Sequence, residues 1–385
     1  MESNQPLKIF ICAGEVSGDM HAAIVMRALR RKLGRPIRFR GFGGDAMAAE
    51  GAELLYHTDR TAMVGLTPVL INLPFLMRMK AHLQREILAW KPDIVLTIDY
   101  PGMNLRLAEF AHQRGFRTAH YVCPQVWAWK RGRIPKIARI FDVLLCFFPF
   151  EPALFSDYPL RAVFIGHPLV DEVASTFAEP LARLPWQGTH QIALLPGSRS
   201  GEITRLLPRL LEAAKLLETR LGGDCSFIIP TPTVKMRALG ESVLATCTQR
   251  PARVFFVDGQ ARQVLRQAHV AAVASGTATL EACMMGCPTV LVYAASAVTA
   301  YVARRVITGV RYLGLANIVA GREIMPELLQ DEFTPQRLSE LLYLYLTDAG
   351  KRAQMCADLS ATTALLGPGK ADERAAAEIA ALLER

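Results

Sequence analysis

The feature that most constrains the fold is a repeated alternation of short apolar runs with segments of helical periodicity. The first unit runs from an apolar stretch at residues 7–13, through a polar loop at 14–19, into apolar residues spaced three and four apart as far as Leu33. Such an alternation predicts parallel sheets covered by helices on both faces. With 51% hydrophobic and 21% charged residues, the chain can build a packed core, which excludes disorder as its main state.

The alternation stops once, in a stretch rich in Pro, Gly and polar residues near 179–189, and then restarts. Strands are predicted on both sides of this break, at 7–13, 37–40, 93–99, 118–122, 142–148 and 161–165, and then at 191–195, 226–229, 253–257, 270–274 and 289–293. The sequence therefore predicts two doubly wound, Rossmann-like α/β domains that face each other across a cleft, at 1–170 and 188–345. A helical C-terminal segment, 346–385, is expected to pack back on an N-terminal domain, its own or that of a partner chain.

The chain is basic, with 44 Lys and Arg against 35 Asp and Glu and a formal charge of +9. This charge favours phosphates or an anionic lipid surface, and no nucleic-acid-binding module accompanies it, so we expect no nucleic-acid partner. The eight cysteines lack a Cys-x-x-Cys pair and indicate reduced residues of a cytoplasmic protein. The polar start predicts no signal peptide. Polar residues and Pro or Gly interrupt the two long uncharged stretches, so neither is expected to span a membrane.

Two small-residue loops follow predicted strands in the second domain. Gly197, Ser198 and Arg199 precede a helix, and backbone N–H groups at a helix N-terminus bind anions, with the Arg199 guanidinium suited to a diphosphate. Ser275, Gly276 and Thr277 open another helix, in which Glu281 could accept hydrogen bonds from a ribose diol. The alternatives are a plain turn for the first loop and helix-dipole stabilisation for Glu281.

In the first domain, Asp99 follows a predicted strand, where a carboxylate can act as a general base. The alternative is that it caps the helix that starts near Asn104. His167, in a Gly-His-Pro turn, is interpreted as part of a hinge. The sequence carries no dinucleotide fingerprint, P-loop, His-Glu-x-x-His motif or Asp-x-Asp motif, so no cofactor and no metal are expected.

Residues 66–79 combine an apolar helical face with basic residues that follow at once. This pattern is typical of an interfacial helix that inserts its apolar face into lipid, and the alternative is a core helix of the first domain. The residues predicted to contact the membrane are Leu66, Val69, Leu70, Leu73, Phe75 and Leu76.

Seven motifs in order resemble the lipid-A-disaccharide synthase family, glycosyltransferases of the two-domain GT-B type. They are AGEVSGD at 13–19, IDYPGMN at 98–104, HYVCPQVWAW at 120–129, FIGHP at 164–168, LLPGSR at 194–199, ASGTATLE at 274–281 and NIVAGRE at 317–323. Two positions depart from the family pattern: Gly102 stands in place of a second acidic residue, and Gln125 in place of a small one.

The resemblance implies an inverting transfer of 2,3-diacylglucosamine from UDP to 2,3-diacylglucosamine 1-phosphate, which gives a β-1,6 disaccharide phosphate and UDP. It implies Asp99 as the general base, Arg199 as the diphosphate ligand, and Glu281 and Asn317 as further nucleotide-site residues. Residues of the first loop are expected to contact the acceptor: Glu15, Ser17, Gly18 and Asp19; Asp19 could alternatively cap its own helix. The family is also described as a homodimer with exchanged C-terminal segments.

The same resemblance places the enzyme at the cytoplasmic face of the inner membrane as a peripheral protein. Two other functions remain open on the sequence. One is another GT-B enzyme acting on UDP-N-acetylglucosamine, a transferase or a 2-epimerase, and the other is a non-catalytic nucleotide- or lipid-binding protein on the same fold.

Overall fold

The structure, a computed structural model, describes residues 5–60, 72–296, 301, 305 and 309–384. The chain divides into two compact units, and the first combines Met1–Pro168 with Gly369–Arg385. The second unit is Leu169–Pro368.

The first unit is built on a parallel sheet of seven strands in the order β3-β2-β1-β4-β5-β6-β7. Its strands are β1 (Leu7–Ala13), β2 (Ile37–Gly43), β3 (Glu53–His57), β4 (Ile94–Ile98), β5 (Arg117–Tyr121), β6 (Val143–Cys146) and β7 (Arg161–Phe164). Its helices are α1 (Val16–Leu33), α2 (Asp45–Ala49), α3 (Leu73–Trp90), α4 (Pro101–His112), α5 (Ile134–Ile140) and the last helix, α14 (Ala371–Leu383). The central strands are almost wholly buried and apolar, as expected for a sheet covered on both faces.

The second unit holds a parallel sheet of six strands in the order β10-β9-β8-β11-β12-β13. Its strands are β8 (His190–Leu195), β9 (Cys225–Thr231), β10 (Val254–Asp258), β11 (Val270–Ala274), β12 (Thr289–Tyr293) and β13 (Glu327–Leu329). Its helices are α6 (Leu169–Ala178), α7 (Ser200–Arg220), α8 (Val234–Thr246), α9 (Ala261–Gln267), α10 (Thr277–Met284), α11 (Leu315–Ala320), α12 (Pro335–Thr347) and α13 (Ala349–Ala364). The prediction of two doubly wound parallel sheets with a helical C-terminal segment is confirmed.

The C-terminal helices are divided between the units. Helix α13 packs in the second unit, where Cys283 on α10 lies 3.5 Å from the Leu359 carbonyl. Helix α14 packs in the first unit through a buried face that includes Ile379, and Arg161 on β7 binds Glu378 on α14 with both Nε (2.6 Å) and Nη2 (2.9 Å). The sequence places the linker between its two predicted domains around residues 170–188, and helix α6 occupies part of that stretch. Among the described residues, no helix is long and apolar enough to cross a membrane.

Each sheet reverses its direction of strand addition once. In the first sheet the reversal falls between β1 and β4, and in the second between β8 and β11. Open parallel sheets bind ligands at the carboxyl ends of the strands beside such a reversal. The loops that begin at Gly14 and Asp99 flank this point in the first unit, and those at Gly197 and Ser275 flank it in the second.

Candidate functional site

In the second unit, the loops after β8 and β11 line one cavity of about 560 Å³. Its lining includes seven of the predicted nucleotide-site residues: Gly197, Ser198, Arg199, Ser275, Gly276, Thr277 and Glu281. Residues at the carboxyl ends of β9 and β10 also contribute, among them Thr231, the last residue of β9, and Gly259, which follows β10. These last residues were not predicted as site residues, although their position after strands was a signal that could have found them.

The loop after β8 is closed by a carboxylate from the helix that it opens. Glu202 Oε2 accepts the N–H groups of Ser198 (3.0 Å) and Arg199 (3.2 Å), and Glu202 Oε1 accepts Arg199 Nη1 at 3.1 Å. The φ of Gly197 is +103°, and a Cβ there would overlap the Glu202 carboxylate, so this position requires glycine. The loop therefore presents a converging set of anion donors, and the Arg199 side chain, 75% exposed, reaches into solvent.

The loop after β11 is anchored by backbone contacts. Ser275 N–H donates to the Val292 carbonyl at 3.2 Å, and Thr279 Oγ1 donates to the Gly276 carbonyl at 2.8 Å. Glu281, one turn into α10, accepts Arg262 Nε at 2.8 Å, and Arg262 also pairs with Glu172. Glu281 thus lines the cavity as a member of an ion-pair network, which fixes one of its oxygens.

Asn317 is not brought into this cavity. Its side chain is 1% exposed, its amide nitrogen donates to the Met325 carbonyl and to Glu327 Oε1, both at 2.8 Å, and its oxygen accepts the N–H groups of Ile324 and Met325. In this structure Asn317 ties α11 to the approach of strand β13.

In the first unit, Asp99 and Tyr100 form a left-handed turn at the end of β4, with φ of +44° and +49°. Helix α4 begins at Pro101 with Tyr100 at its N-cap and no side-chain cap, so Asp99 is not used to cap the helix. Asn104 holds the turn, because its amide nitrogen lies 2.7 Å from the Asp99 carbonyl, 3.0 Å from that of Ile98 and 3.2 Å from that of Cys12.

The environment of Asp99 makes its carboxylate a stronger proton acceptor than an exposed one. Burial raises the pKa of the Asp99 carboxyl above its usual value, while the Tyr100 N–H and the nearby His21 oppose the rise. A raised pKa in a residue that follows a strand at the sheet reversal is the property expected of a general base.

The predicted loop 14–19 is shorter than expected, because α1 begins at Val16, so that of the four predicted acceptor residues Glu15 is the N-cap and the other three lie in the first turn of the helix. The four residues have two different settings. Glu15 and Ser17 are exposed, whereas Gly18 and Asp19 are buried. Asp19 Oδ1 accepts the N–H groups of Gly44 (2.7 Å) and Met47 (3.1 Å), and Oδ2 accepts that of Ala46 (2.9 Å). Asp19 therefore stabilises the start of α2 and not that of its own helix, and of the four residues only Glu15 and Ser17 present their side chains to solvent.

Aromatic rings and histidines surround the carboxyl edge of the first sheet. The His21 ring lies 5.9 Å from the Tyr121 ring and 5.7 Å from the Phe147 ring, and the His167 ring lies 5.3 Å from those of Phe147 and Phe148. Burial and the proximity of His21 lower the pKa of His167 to about 4. His21 was not predicted as a site residue, since nothing in its sequence neighbourhood shows that it packs against Tyr121 and Phe147.

Glu151 joins the sequence motif at 120–129 to the segment after β6. Its carboxylate accepts Trp127 Nε1–H and the N–H groups of Phe147 and Phe148, each at 3.0 Å. Burial raises the pKa of Glu151 to about 7, against the lowering effect of these donors. The residue fixes the loop after β5 to the loop after β6.

The predicted membrane segment is described only in part. Leu66, Val69 and Leu70 lie outside the described residues. Leu73 begins α3 and is 42% exposed, whereas Phe75 and Leu76 are partly buried against the core of the first unit. Met77, one turn after Leu73, is 57% exposed.

Comparison with known proteins identifies the family. A sequence model described as lipid-A-disaccharide synthetase matches residues 9–381. Lipid-A-disaccharide synthase of Chromohalobacter salexigens is 38% identical over 382 residues, which cover 98% of this chain and 97% of the relative.

Solved structures of lower identity share the fold. A putative UDP-N-acetylglucosamine 2-epimerase from Listeria monocytogenes has a TM-score of 0.62 at 14% identity and covers 99% of this chain and 96% of its own. The UDP-GlcNAc 2-epimerase from Neisseria meningitidis, bound to UDP-GlcNAc, has a TM-score of 0.60 at 13% identity over 98% of this chain and 100% of its own. At these identities the similarity to the solved structures shows the GT-B fold alone. The match of the family model over residues 9–381 and the 38% identity to the Chromohalobacter salexigens enzyme show that the chain belongs to the lipid-A-disaccharide synthase family.

Proposed function

We propose that this chain joins UDP-2,3-diacylglucosamine to 2,3-diacylglucosamine 1-phosphate, with Asp99 as the general base and the cavity of the second unit as the UDP site. The overall reaction is inferred from membership of the family, which makes the chain a glycosyltransferase. One structural observation supports the assignment of roles: both loops at the reversal of the second sheet line a single cavity.

The nucleotide diphosphate is assigned to the loop after β8. The N–H groups of Ser198 and Arg199 and the Arg199 guanidinium converge on one carboxylate of this chain, which shows that their geometry suits an anion. The N-terminus of α10, after Gly276, adds partial positive charge at the same cavity. These groups would stabilise the charge that develops on departing UDP.

The chemistry is a single displacement with inversion. Asp99 accepts the proton of the acceptor 6-hydroxyl, the hydroxyl oxygen bonds to the anomeric carbon, and the bond to the diphosphate oxygen breaks with its electron pair leaving on UDP. A positioned base of this kind contributes roughly 10²–10⁴-fold to the rate. Glu15 and Ser17 are the exposed residues of the neighbouring loop and are assigned to the acceptor.

The place in the cell where the reaction occurs follows from the lipid nature of both substrates. We propose peripheral binding at the cytoplasmic face of the inner membrane, supported by the exposed Leu73 and Met77 and the basic residues that follow them.

We also propose a homodimer with exchanged C-terminal segments, which rests on the family resemblance. Size-exclusion chromatography with light scattering tests the dimer, and a monomeric mass would overturn it.

The direct test incubates the purified protein with both acylated sugars and detects the product by mass spectrometry. A disaccharide phosphate and UDP are expected, also in the presence of EDTA. Conversion of UDP-N-acetylglucosamine to its 2-epimer without disaccharide would instead support the alternative enzyme, and UDP binding without turnover a non-catalytic protein.

Asp99→Asn tests the base and should lower turnover at least 10²-fold while UDP binding stays intact. The matched control is Asp93→Asn, because Asp93 lies just before the same strand, where its carboxylate accepts the Lys8 N–H at 2.8 Å. Full turnover in Asp99→Asn would remove Asp99 from the mechanism.

A further inference from the structure

Arg262, on α9, lies next to the cavity of the second unit and binds two carboxylates from two other helices. Its Nε donates to Glu281 Oε1 on α10 at 2.8 Å, and its Nη2 pairs with Glu172 on α6. The described residues that line the cavity include Glu281 and Ala261, but not Arg262 itself. Any effect of Arg262 on a ligand in the cavity is therefore transmitted through Glu281.

The contact with Arg262 uses only one oxygen of the Glu281 carboxylate. In the part of the chain that the structure describes, Oε1 accepts Arg262 Nε–H and no hydrogen bond reaches Oε2. The Glu281 side chain is 18% exposed, so it is largely covered while it still contributes to the cavity wall. An ionised carboxylate oxygen only accepts hydrogen bonds, and Oε2 is therefore available to a donor within the cavity.

The position of Glu281 on α10 limits which part of a nucleotide it can reach. Thr277 opens α10 and also lines the cavity, and Glu281 follows it by four residues, which places the two side chains on one face of the helix. The anion donors of Ser198 and Arg199 lie in the wall of the same cavity. Beyond a diphosphate bound at these donors and at the start of α10, the ribose of UDP offers two hydroxyl donors to the carboxylate one turn into the helix.

The guanidinium of Arg262 holds the carboxylate in one direction. Arg presents its N–H groups in a planar, rigid fork, and the contact with Glu172 anchors that fork to α6. The Arg262 side chain is 28% exposed, so the ion pair is partly shielded from solvent. Without this contact Glu281 is free to rotate, and hydrogen bonds weaken steeply when their geometry is lost.

We propose that Arg262 is a positioning residue that directs Glu281 Oε2 at the ribose diol, so that the site selects nucleotides by this diol. The inference rests on the proposed UDP site and deepens it, because it assigns the recognition of the nucleotide sugar to one ion pair. A hydrogen bond to a charged group contributes about tenfold or more to affinity. A nucleotide without the diol cannot make this bond.

Dissociation constants for UDP and for 2′,3′-dideoxy-UDP, measured by calorimetry, test the proposal. The unchanged protein should bind UDP at least about tenfold more tightly than the dideoxy nucleotide. In Arg262→Gln this preference should fall to about twofold, because the affinity for UDP drops while that for the dideoxy nucleotide changes little. Arg262→Lys keeps the charge without the fork and should recover part of the preference.

Arg266→Gln is the matched control, because Arg266 lies one turn further along α9 and also joins this helix to the end of α6. Its Nη1 donates to the carbonyls of Thr176 (2.9 Å) and Glu179 (2.8 Å). Arg266→Gln should leave the preference for UDP unchanged, even where it lowers stability. In Glu281→Ala the preference should be lost, and the additional change Arg262→Gln should then have no further effect on it.

An equal loss of affinity for both nucleotides in Arg262→Gln, or an unchanged preference, would overturn the positioning role, as would the same loss of preference in Arg266→Gln. Thermal unfolding checks that each variant folds, and Arg262→Met provides the comparison if Arg262→Gln does not. If the unchanged protein binds both nucleotides equally, the inference fails while the UDP site stands. If it does not bind UDP, the proposed UDP site itself fails, so the two failures remain distinct.

Discussion

At the scale of single residues, backbone strain is concentrated where the first sheet presents its site. Asp99, Tyr100 and Val122 all have positive φ, and for the β-branched Val122 the value is +78°. Each such residue costs about 1–3 kcal/mol and persists only where its surroundings hold it. Here the Asn104 amide and the Val122 N–H bond to the Leu145 carbonyl, 3.1 Å long, do so. The strain fixes the direction in which Asp99 leaves the sheet.

Gly14→Ala tests how tightly this turn is packed. A Cβ at Gly14 would overlap the Tyr100 ring, whereas a Cβ at Gly132 meets nothing within 4 Å. We expect Gly14→Ala to lower the free energy of unfolding by about 1–3 kcal/mol and to reduce turnover, because Tyr100 adjoins Asp99. Gly132→Ala is the control and should change both by little; equal effects of the two substitutions in urea unfolding would contradict the prediction.

Glu151→Gln tests a pH dependence of stability. The pKa of Glu151 is about 7 in the folded protein and roughly 4.3 in an unfolded chain, so the folded state binds this proton more tightly. Its stabilising contribution is present below pH 4 and is lost as the pH rises through 7, a change of about 4 kcal/mol. Urea unfolding at pH 5 and pH 8 should show a smaller drop in Glu151→Gln than in the unchanged protein. Glu109→Gln, in a half-exposed ion pair, is the control, and an unaltered drop in Glu151→Gln would refute the expectation.

At the scale of elements, the strands with continuous apolar runs were predictable, and so were the edge strands β7 and β10, whereas the two other edge strands were not. Strand β1 was predicted with its observed bounds, Leu7–Ala13, because burial on both faces leaves a wholly apolar signature. Strands β3 and β13 lie at sheet edges and were missed, since an edge strand needs no such run. Helix α6 was assigned to the linker, although the Pro- and Gly-rich composition begins only after this helix ends.

The residues of the candidate site also fall into those that the sequence predicts and those that it does not. Asp99, Gly197 and Ser275 were predictable because the ends of parallel strands are visible in the sequence. The role of Asp19 at α2 and the packing of His21 against Tyr121 depend on contacts between elements that are separate in the chain. The sequence places such residues near a loop but does not show which partner they bind.

Helix α3 carries the described part of the membrane prediction. Leu73 and Met77, one turn apart and exposed, should lie in lipid if this helix contacts the bilayer, so Leu73→Ser with Met77→Ser should reduce sedimentation with phosphatidylglycerol vesicles several-fold. Leu88→Ser, at an equally exposed position near the end of α3, is the control. Unchanged vesicle binding in the double variant would count against this contact.

At the scale of the whole molecule, the chain passes between its units twice, near residue 168 and near residue 368. The second unit is therefore one continuous segment, whereas the first depends on α14 from the far end of the chain. Each unit has its own sheet and its own core. Substitutions in α14 are thus expected to act on the first unit and not on the cavity of the second unit that we propose as the UDP site.

Ile379→Ala measures this independence. Ile379 is fully buried in the first unit, so its truncation should cost about 2–5 kcal/mol of stability, while the dissociation constant for UDP, measured by calorimetry, should remain unchanged. Ala381→Ser, at an exposed position of α14, controls for changes on the helix surface. A large loss of UDP affinity in folded Ile379→Ala would contradict the division.

The return of α14 to the first sheet has a consequence for biosynthesis. As the polypeptide leaves the ribosome, the unit that is translated later can close its core as soon as residue 368 has emerged, but the earlier one must wait for residues 369–385. During synthesis the N-terminal domain usually folds first. In this chain the second unit can complete its fold before the first. Nascent chains that stall before these residues carry a finished second unit beside an uncovered hydrophobic surface of the first, which makes them targets for chaperones.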